Sequence, residues 1–144
     1  MSQGILELTA DTGSIEKRVK KSVAGVIECN LATEEIFPEG TLNVEVDVLI
    51  CSLVFDVVCT DPSNLEVVMT RALTCLKQDG LMVVQGSLGE ERYCVGSAVF
   101  PVLNIDQKTL LEVFENLSLE VIKWETTVRL STHYFTVLKR KETN

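Results

Sequence analysis

Val46-Asp47-Val48-Leu49-Ile50-Cys51-Ser52-Leu53-Val54-Phe55 is a nearly continuous apolar run, long enough for a strand. A break follows at Asp56-Val57-Val58-Cys59-Thr60-Asp61-Pro62, then a helical stretch from Ser63 to Lys77. Gln78-Asp79-Gly80 reads as a tight turn into a second apolar run, Leu81-Met82-Val83-Val84-Gln85. Parallel strands covered on both faces read as unbroken apolar runs, so this is a strand–helix–strand unit. Its crossover is expected to be right-handed. Within the helix, Leu65, Val68, Met69, Ala72, Leu73 and Leu76 recur at three- and four-residue steps, which makes one apolar face. Asp61 is placed to cap it, Pro62 stands at the first helical position, and Gly80 is expected to take a left-handed conformation beyond its end.

Upstream of this unit, Gly4 to Thr9 reads as a short strand and Ala10-Asp11-Thr12-Gly13 as a turn. Ser14 then caps a helix carrying Ile15, Val19 and Val23 on one face, with Gly25 closing it. Val26-Ile27-Glu28-Cys29 reads as another short strand, followed by Asn30-Leu31-Ala32-Thr33 and a loop from Glu34 to Asn43. Downstream, Gly86 to Glu91 is loop, Arg92 to Val95 a short strand and Phe100 to Asn104 a connector. Asp106 caps a second amphipathic helix with Leu110, Val113, Phe114 and Leu117. Strand-like runs from Leu119 to Thr127 and Thr132 to Leu138 are separated only by Val128 to Ser131. A parallel pair needs a crossover of about a dozen residues, so this short link requires an antiparallel hairpin. The expected fold is one α/β domain over residues 1–144, a mostly parallel sheet reversed at its C-terminal end.

Composition narrows the function. With 13 basic against 21 acidic residues and a net charge of −8, the chain lacks the basic face that phosphate neutralisation needs, so no nucleic-acid partner is expected. The cluster Lys17-Arg18-Lys20-Lys21 reads as a solvated helix face. Five cysteines, none in a Cys-x-x-Cys spacing, fit a reducing cytoplasmic setting and give no metal site. No signal peptide is apparent, and no apolar run approaches the roughly 18 residues of a membrane span.

In open parallel sheets, ligands bind beyond the carboxyl ends of the strands. Cys29-Asn30-Leu31, Ser52-Leu53-Val54-Phe55-Asp56 and Gly86-Ser87-Leu88 occupy that position, which predicts one shared crevice. The single histidine, His133, reads as structural, and without it no Ser-His-Asp or Cys-His pair remains. Neither a triphosphate-binding nor a dinucleotide-binding glycine loop is present. No residue is therefore singled out as catalytic. Methyl transfer from a sulfonium donor fits such a site, because the donor arrives activated and the protein mainly aligns it and excludes water.

Four segments in order carry a resemblance: Val26-Ile27-Glu28-Cys29-Asn30-Leu31; Val46 to Cys59; Leu76-Lys77-Gln78-Asp79-Gly80-Leu81-Met82-Val83-Val84; and Tyr93-Cys94-Val95-Gly96. From Ile15 to Lys141 the chain resembles the nicotinamide, phenylethanolamine and thioether S-adenosylmethionine-dependent methyltransferases, the nicotinamide/indolethylamine branch most closely. The resemblance is to the C-terminal part of such an enzyme. It implies a class I, Rossmann-like sheet, S-adenosylmethionine as methyl donor, and a small amine or nicotinamide-like acceptor. It puts Asn30 where the family commonly has an Asp that holds the adenine amino group, with Leu31 beside the ring. Cys51 and Ser52 fall next to the donor, while Leu53, Asp56 and Val57 border the acceptor pocket and Tyr93 walls it.

The chain also departs from that pattern. The family's glycine-rich first strand-turn and aromatic N-terminal lid have no counterpart, and neither does the acidic residue that grips the donor's ribose. Where the nicotinamide branch has an Asp facing the acceptor, Gly86 stands here. A catalytically inactive, truncated module is thus the alternative expectation. With it comes self-association through a sheet edge left open near Val26 to Cys29.

Overall fold

The computed structural model describes residues 12–41 and 45–142. The strand expected over Gly4 to Thr9 lies outside them. In chain order the elements are α1 (Thr12–Ser22), β1 (Val46–Ser52), α2 (Val54–Val58), α3 (Pro62–Leu73), β2 (Leu76–Leu88), β3 (Arg92–Val95), β4 (Ala98–Pro101), α4 (Gln107–Asn116), β5 (Leu119–Val128) and β6 (Thr132–Arg140). Four strands form one sheet in the order β1-β2-β6-β5. The β1–β2 pair is parallel, and β6 runs antiparallel to both β2 and β5. The strand–helix–strand unit and the C-terminal hairpin are both present.

The helices follow from their sequences. The Asp61 side chain accepts the Asn64 N–H at the start of α3, where Pro62 sits with no N–H to satisfy. Asp106 caps α4 in the same way, at 2.7 Å from the Thr109 nitrogen. From α3, Leu65, Val68, Met69, Ala72 and Leu73 are buried; from α4, Leu110, Val113 and Phe114. They share one apolar cluster with Met82 and Val84 of β2, Leu119 of β5, and Tyr134 and Leu138 of β6. The opposite face of the sheet is open among the described residues, with Val48, Ile50 and Ile122 exposed, so the expected cover on both faces is not found there. α1 forms but buries none of its residues, and Ser14 lies inside its first turn rather than capping it.

Three local expectations are corrected. Val26 to Cys29 is not a strand: no described strand pairs with it, and Val26 is 93% exposed. The edge strands of the described sheet are β1 and β5. Gln78-Asp79-Gly80 is not a turn. α3 ends at Leu73, and β2 already pairs with β1 at Leu76. Between Val46↔Leu76 and Val48↔Leu81 the register shifts, and the extra residues are carried as a bulge inside β2. Gly80 is required for close approach rather than for a left-handed backbone, since a Cβ there would meet the Asp47 carbonyl oxygen at 2.9 Å and Leu76 Cδ1 at 2.6 Å. Finally, the segment read as a connector from Phe100 begins within β4, which pairs with β3 in a separate two-stranded hairpin.

Candidate functional site

β1 ends at Ser52, directly opposite Gln85 of β2. The Ser52 hydroxyl bonds the Gln85 side-chain oxygen at 3.3 Å. The next residue, Leu53, adopts φ 57°, a left-handed conformation uncommon for a leucine, and turns the chain into α2. Its N–H is held by the Gln85 carbonyl at 2.8 Å. This sharp turn brings Asp56 of α2 back over β2. Asp56 is buried, at 5% exposure, and its carboxylate accepts both the Ser87 N–H, at 2.9 Å, and the Ser87 hydroxyl, at 2.7 Å. Burial raises its carboxyl above the ordinary value, while the two Ser87 bonds and nearby His133 oppose that rise.

A cavity of about 400 Å³ opens beside this carboxylate, lined by Leu53, Asp56, Val57, Ser87, Glu90, Arg92, Tyr93, Val102, Ser131 and His133. Tyr93 stacks on Phe100 across the β3–β4 hairpin, with ring centres 5.1 Å apart, so the hairpin forms one wall. Opposite it, β6 contributes His133, which faces Ser87 across the sheet. The His133 Nε2 lies 2.7 Å from the Ser131 hydroxyl.

Four of the sequence-predicted acceptor residues, Leu53, Asp56, Val57 and Tyr93, come together on this cavity. Gly86 lies behind the wall instead, buried within β2. A Cβ there would fall 2.6 Å from Asp56 Oδ1 and 2.8 Å from the Tyr134 hydroxyl, so no side chain fits. Cys51 is buried next to Ser52 at the end of β1, and burial pushes its thiol up to about 11. Asn30 lies in a loop rather than at a strand end. Its side-chain oxygen accepts the Ala32 N–H at 3.0 Å and its own N–H bonds Ile36. Leu31 packs against the core, and its carbonyl is held by Arg71 at 3.1 Å. Arg92 and Ser131 were not singled out in the sequence, Glu90 read as part of a loop, and His133 read as structural. Only the solitary histidine gave a signal, and strand register was needed to aim it at Ser87. Among the described residues no group of His, Cys, Asp or Glu has the geometry of a metal site.

The model of the NNMT/PNMT/TEMT family matches residues 5–141. No curated protein sequence matches the chain. Among solved structures, it is similar to an S-adenosylmethionine-dependent methyltransferase from Clostridium acetobutylicum, with a TM-score of 0.63 and 10% identity, over 98% of this chain and 73% of that one. A Methanosarcina mazei S-adenosylmethionine-dependent methyltransferase gives 0.58 at 10% identity, over 77% of this chain and 64% of that one. The 1,6-didemethyltoxoflavin-N1-methyltransferase of Burkholderia thailandensis, solved with 1,6-didemethyltoxoflavin and S-adenosylhomocysteine bound, gives 0.56 at 10% identity, over 79% and 49%. These likenesses establish the fold. The chain spans about half to three quarters of the length of these structures.

Proposed function

The chain belongs to the NNMT/PNMT/TEMT family, and from that premise we propose that it forms the acceptor-side part of an S-adenosylmethionine-dependent methyltransferase acting on a small amine or pyridine-type acceptor. The observation that carries this reading is the convergence of Leu53, Asp56, Val57 and Tyr93, from separated segments, on one cavity holding a buried carboxylate.

The residues fit the adenine side of the donor. Asn30 Oδ1 makes one hydrogen bond to the chain and keeps a second lone pair for an amino group. Leu31 is fixed beside it by Arg71 and the core, and Cys51 and Ser52 end β1 immediately before Leu53 of the cavity wall. When bound, S-adenosylmethionine supplies a methyl group already activated by its sulfonium. The chain's own contribution is placement and exclusion of water. Leu53, Val57 and Val102 give the cavity apolar walls, and Tyr93, backed by Phe100, gives a flat aromatic one. Asp56 and Glu90 favour a cationic nitrogen there, through a carboxylate that Ser87 keeps from rotating away. The free thiols suit a reducing, cytoplasmic setting.

Isothermal titration of the 144-residue chain with S-adenosylhomocysteine tests the reading. Saturable binding is expected, weakened about tenfold by Asn30→Ala through loss of one hydrogen bond. Absence of binding would refute donor recognition by this chain and leave a non-catalytic module.

A further inference from the structure

We propose that His133, paired with Ser131, takes up the proton that a cationic amine acceptor must lose before methylation and discharges it into a second groove that adjoins the cavity along β6. The proposal rests on the methyl-transfer reading above.

Two openings meet at this residue. His133 lines the acceptor cavity with Asp56, Ser87 and Ser131. It also lines a shallower groove formed by Gln85, Glu125, Thr127, Tyr134 and Phe135. No other described residue borders both. The titratable and charged groups around it are Asp56, Glu90, Arg92 and Tyr93 on the cavity side, and Glu125 and Tyr134 on the groove side. Ser131 belongs to the cavity wall and touches the imidazole at Nε2, 2.7 Å away, so it joins the ring to whatever the cavity holds.

The chemistry requires such a group. An aliphatic amine is an ammonium ion near neutral pH and has no lone pair with which to attack. Asp56 and Glu90 favour that cation but, as carboxylates, are weak bases toward it. Histidine is the side chain suited to exchanging protons near neutrality. The ammonium gives a proton to Ser131 Oγ as the Ser131 proton passes to His133 Nε2, leaving amine and imidazolium. The freed nitrogen pair then forms the N–C bond, and the C–S pair returns to sulfur, converting sulfonium to thioether. The imidazolium releases its proton to water on the groove side, beside Glu125. No further reactant is consumed.

His133 is the only histidine in the chain, so its ring proton resonances are unambiguous in NMR. Titrating the full chain with benzylamine should shift them saturably. Benzyl alcohol, similar in size but uncharged, should act at least about tenfold more weakly, for want of a charge-assisted contact. In turnover with S-adenosylmethionine, His133→Gln should slow benzylamine methylation about 100-fold at pH 7. That loss should shrink as pH rises toward the amine's own pKa, and Ser131→Ala should act in the same direction. Methylation of pyridine, which is neutral at pH 7 and makes no use of the proton acceptor, should fall by a clearly smaller factor than that of benzylamine, and the reading is the difference between the two losses. A silent resonance, equal response to amine and alcohol, or equal slowing of both acceptors would overturn the proposal. Donor binding with a silent imidazole would refute the role of His133 alone. An amine-responsive imidazole with no binding of S-adenosylhomocysteine would refute methyl transfer instead.

Discussion

Replacing Gly86 by alanine should destabilise the fold by about 2–4 kcal/mol, a large penalty for one methyl group. The new Cβ would stand 2.6 Å from Asp56 Oδ1 and 2.8 Å from both Cε1 and the hydroxyl oxygen of Tyr134. Neither neighbour is a loose chain end. Asp56 is tied to Ser87 by two hydrogen bonds, and Tyr134 is buried and stacked on Trp124 at 5.4 Å between ring centres. Overpacking of this kind costs about 1–3 kcal/mol. If Asp56 yields, one charge-assisted bond to Ser87 is lost as well, worth about 1.5 kcal/mol or more. Urea unfolding followed by fluorescence of Trp124, the single tryptophan and a partner of the displaced Tyr134, measures the change directly. A parallel thermal scan should fall by roughly 3 °C for each kcal/mol in a chain of this size. Gly86→Asp should cost at least as much, because it adds a second carboxylate against the first. A loss below about 0.5 kcal/mol for alanine, within the range of an ordinary surface change, would refute the close contact among Gly86, Asp56 and Tyr134.

Two further predictions concern the same wall and the core behind it. Asp56→Ala strands the Ser87 N–H and hydroxyl in a buried place and should lower stability by about 2–3 kcal/mol, whereas Asp56→Asn keeps an acceptor and should lose less. The carboxyl's folded pKa lies above its unfolded value. Its contribution is therefore fully present below the ordinary carboxylate range and is lost as pH rises through the folded value, so Asp56→Asn should gain on the native chain with rising pH in melting curves. A gap between the two that is constant with pH would refute the burial argument. For the thiols, burial pushes Cys51 up to about 11 and Cys59 up to about 12, and raises Cys75 too, whereas Cys29 and Cys94 are exposed. At pH 8, roughly one Cys51 in a thousand is thiolate, so a disulfide reagent should modify Cys29 and Cys94 quickly and the other three only after denaturation. Fast modification of a third thiol in the native protein would contradict the packing around β1.

What the sequence made legible follows from which interactions are local. The faces of α3 and α4 and their Asp61 and Asp106 caps depend on neighbours three or four residues away, and periodicity exposes them. The β5–β6 hairpin was forced by the length of its link. The early start of β2 was hidden, because Leu76-Lys77-Gln78-Asp79-Gly80 has turn chemistry and only the bulge against β1 holds it extended. Val26 to Cys29 has the composition of a strand, but a strand needs a partner to bond, and none of the described strands provides one. The cavity residues Leu53, Asp56, Val57 and Tyr93 were named from the family resemblance. His133 was not, since its place opposite Ser87 is a matter of register between strands more than forty residues apart.

Gly86 shows how a one-position comparison with a family misleads. Where the nicotinamide branch is expected to carry an Asp, the glycine reads as a lost carboxylate. Yet the space a side chain would fill there is taken by the carboxylate of Asp56, arriving from α2 and clamped by the residue after the glycine. The absence of a side chain at 86 is what lets Asp56 lie flat on β2, and the left-handed turn at Leu53 is what delivers it. The wall thus carries a carboxylate although position 86 has no side chain. A carboxylate fixed by two bonds to one strand cannot also swing to collect a proton from a ligand, and under the proposal above that task falls to the half-buried imidazole on the neighbouring strand, the group that lines both the cavity and the groove beside it.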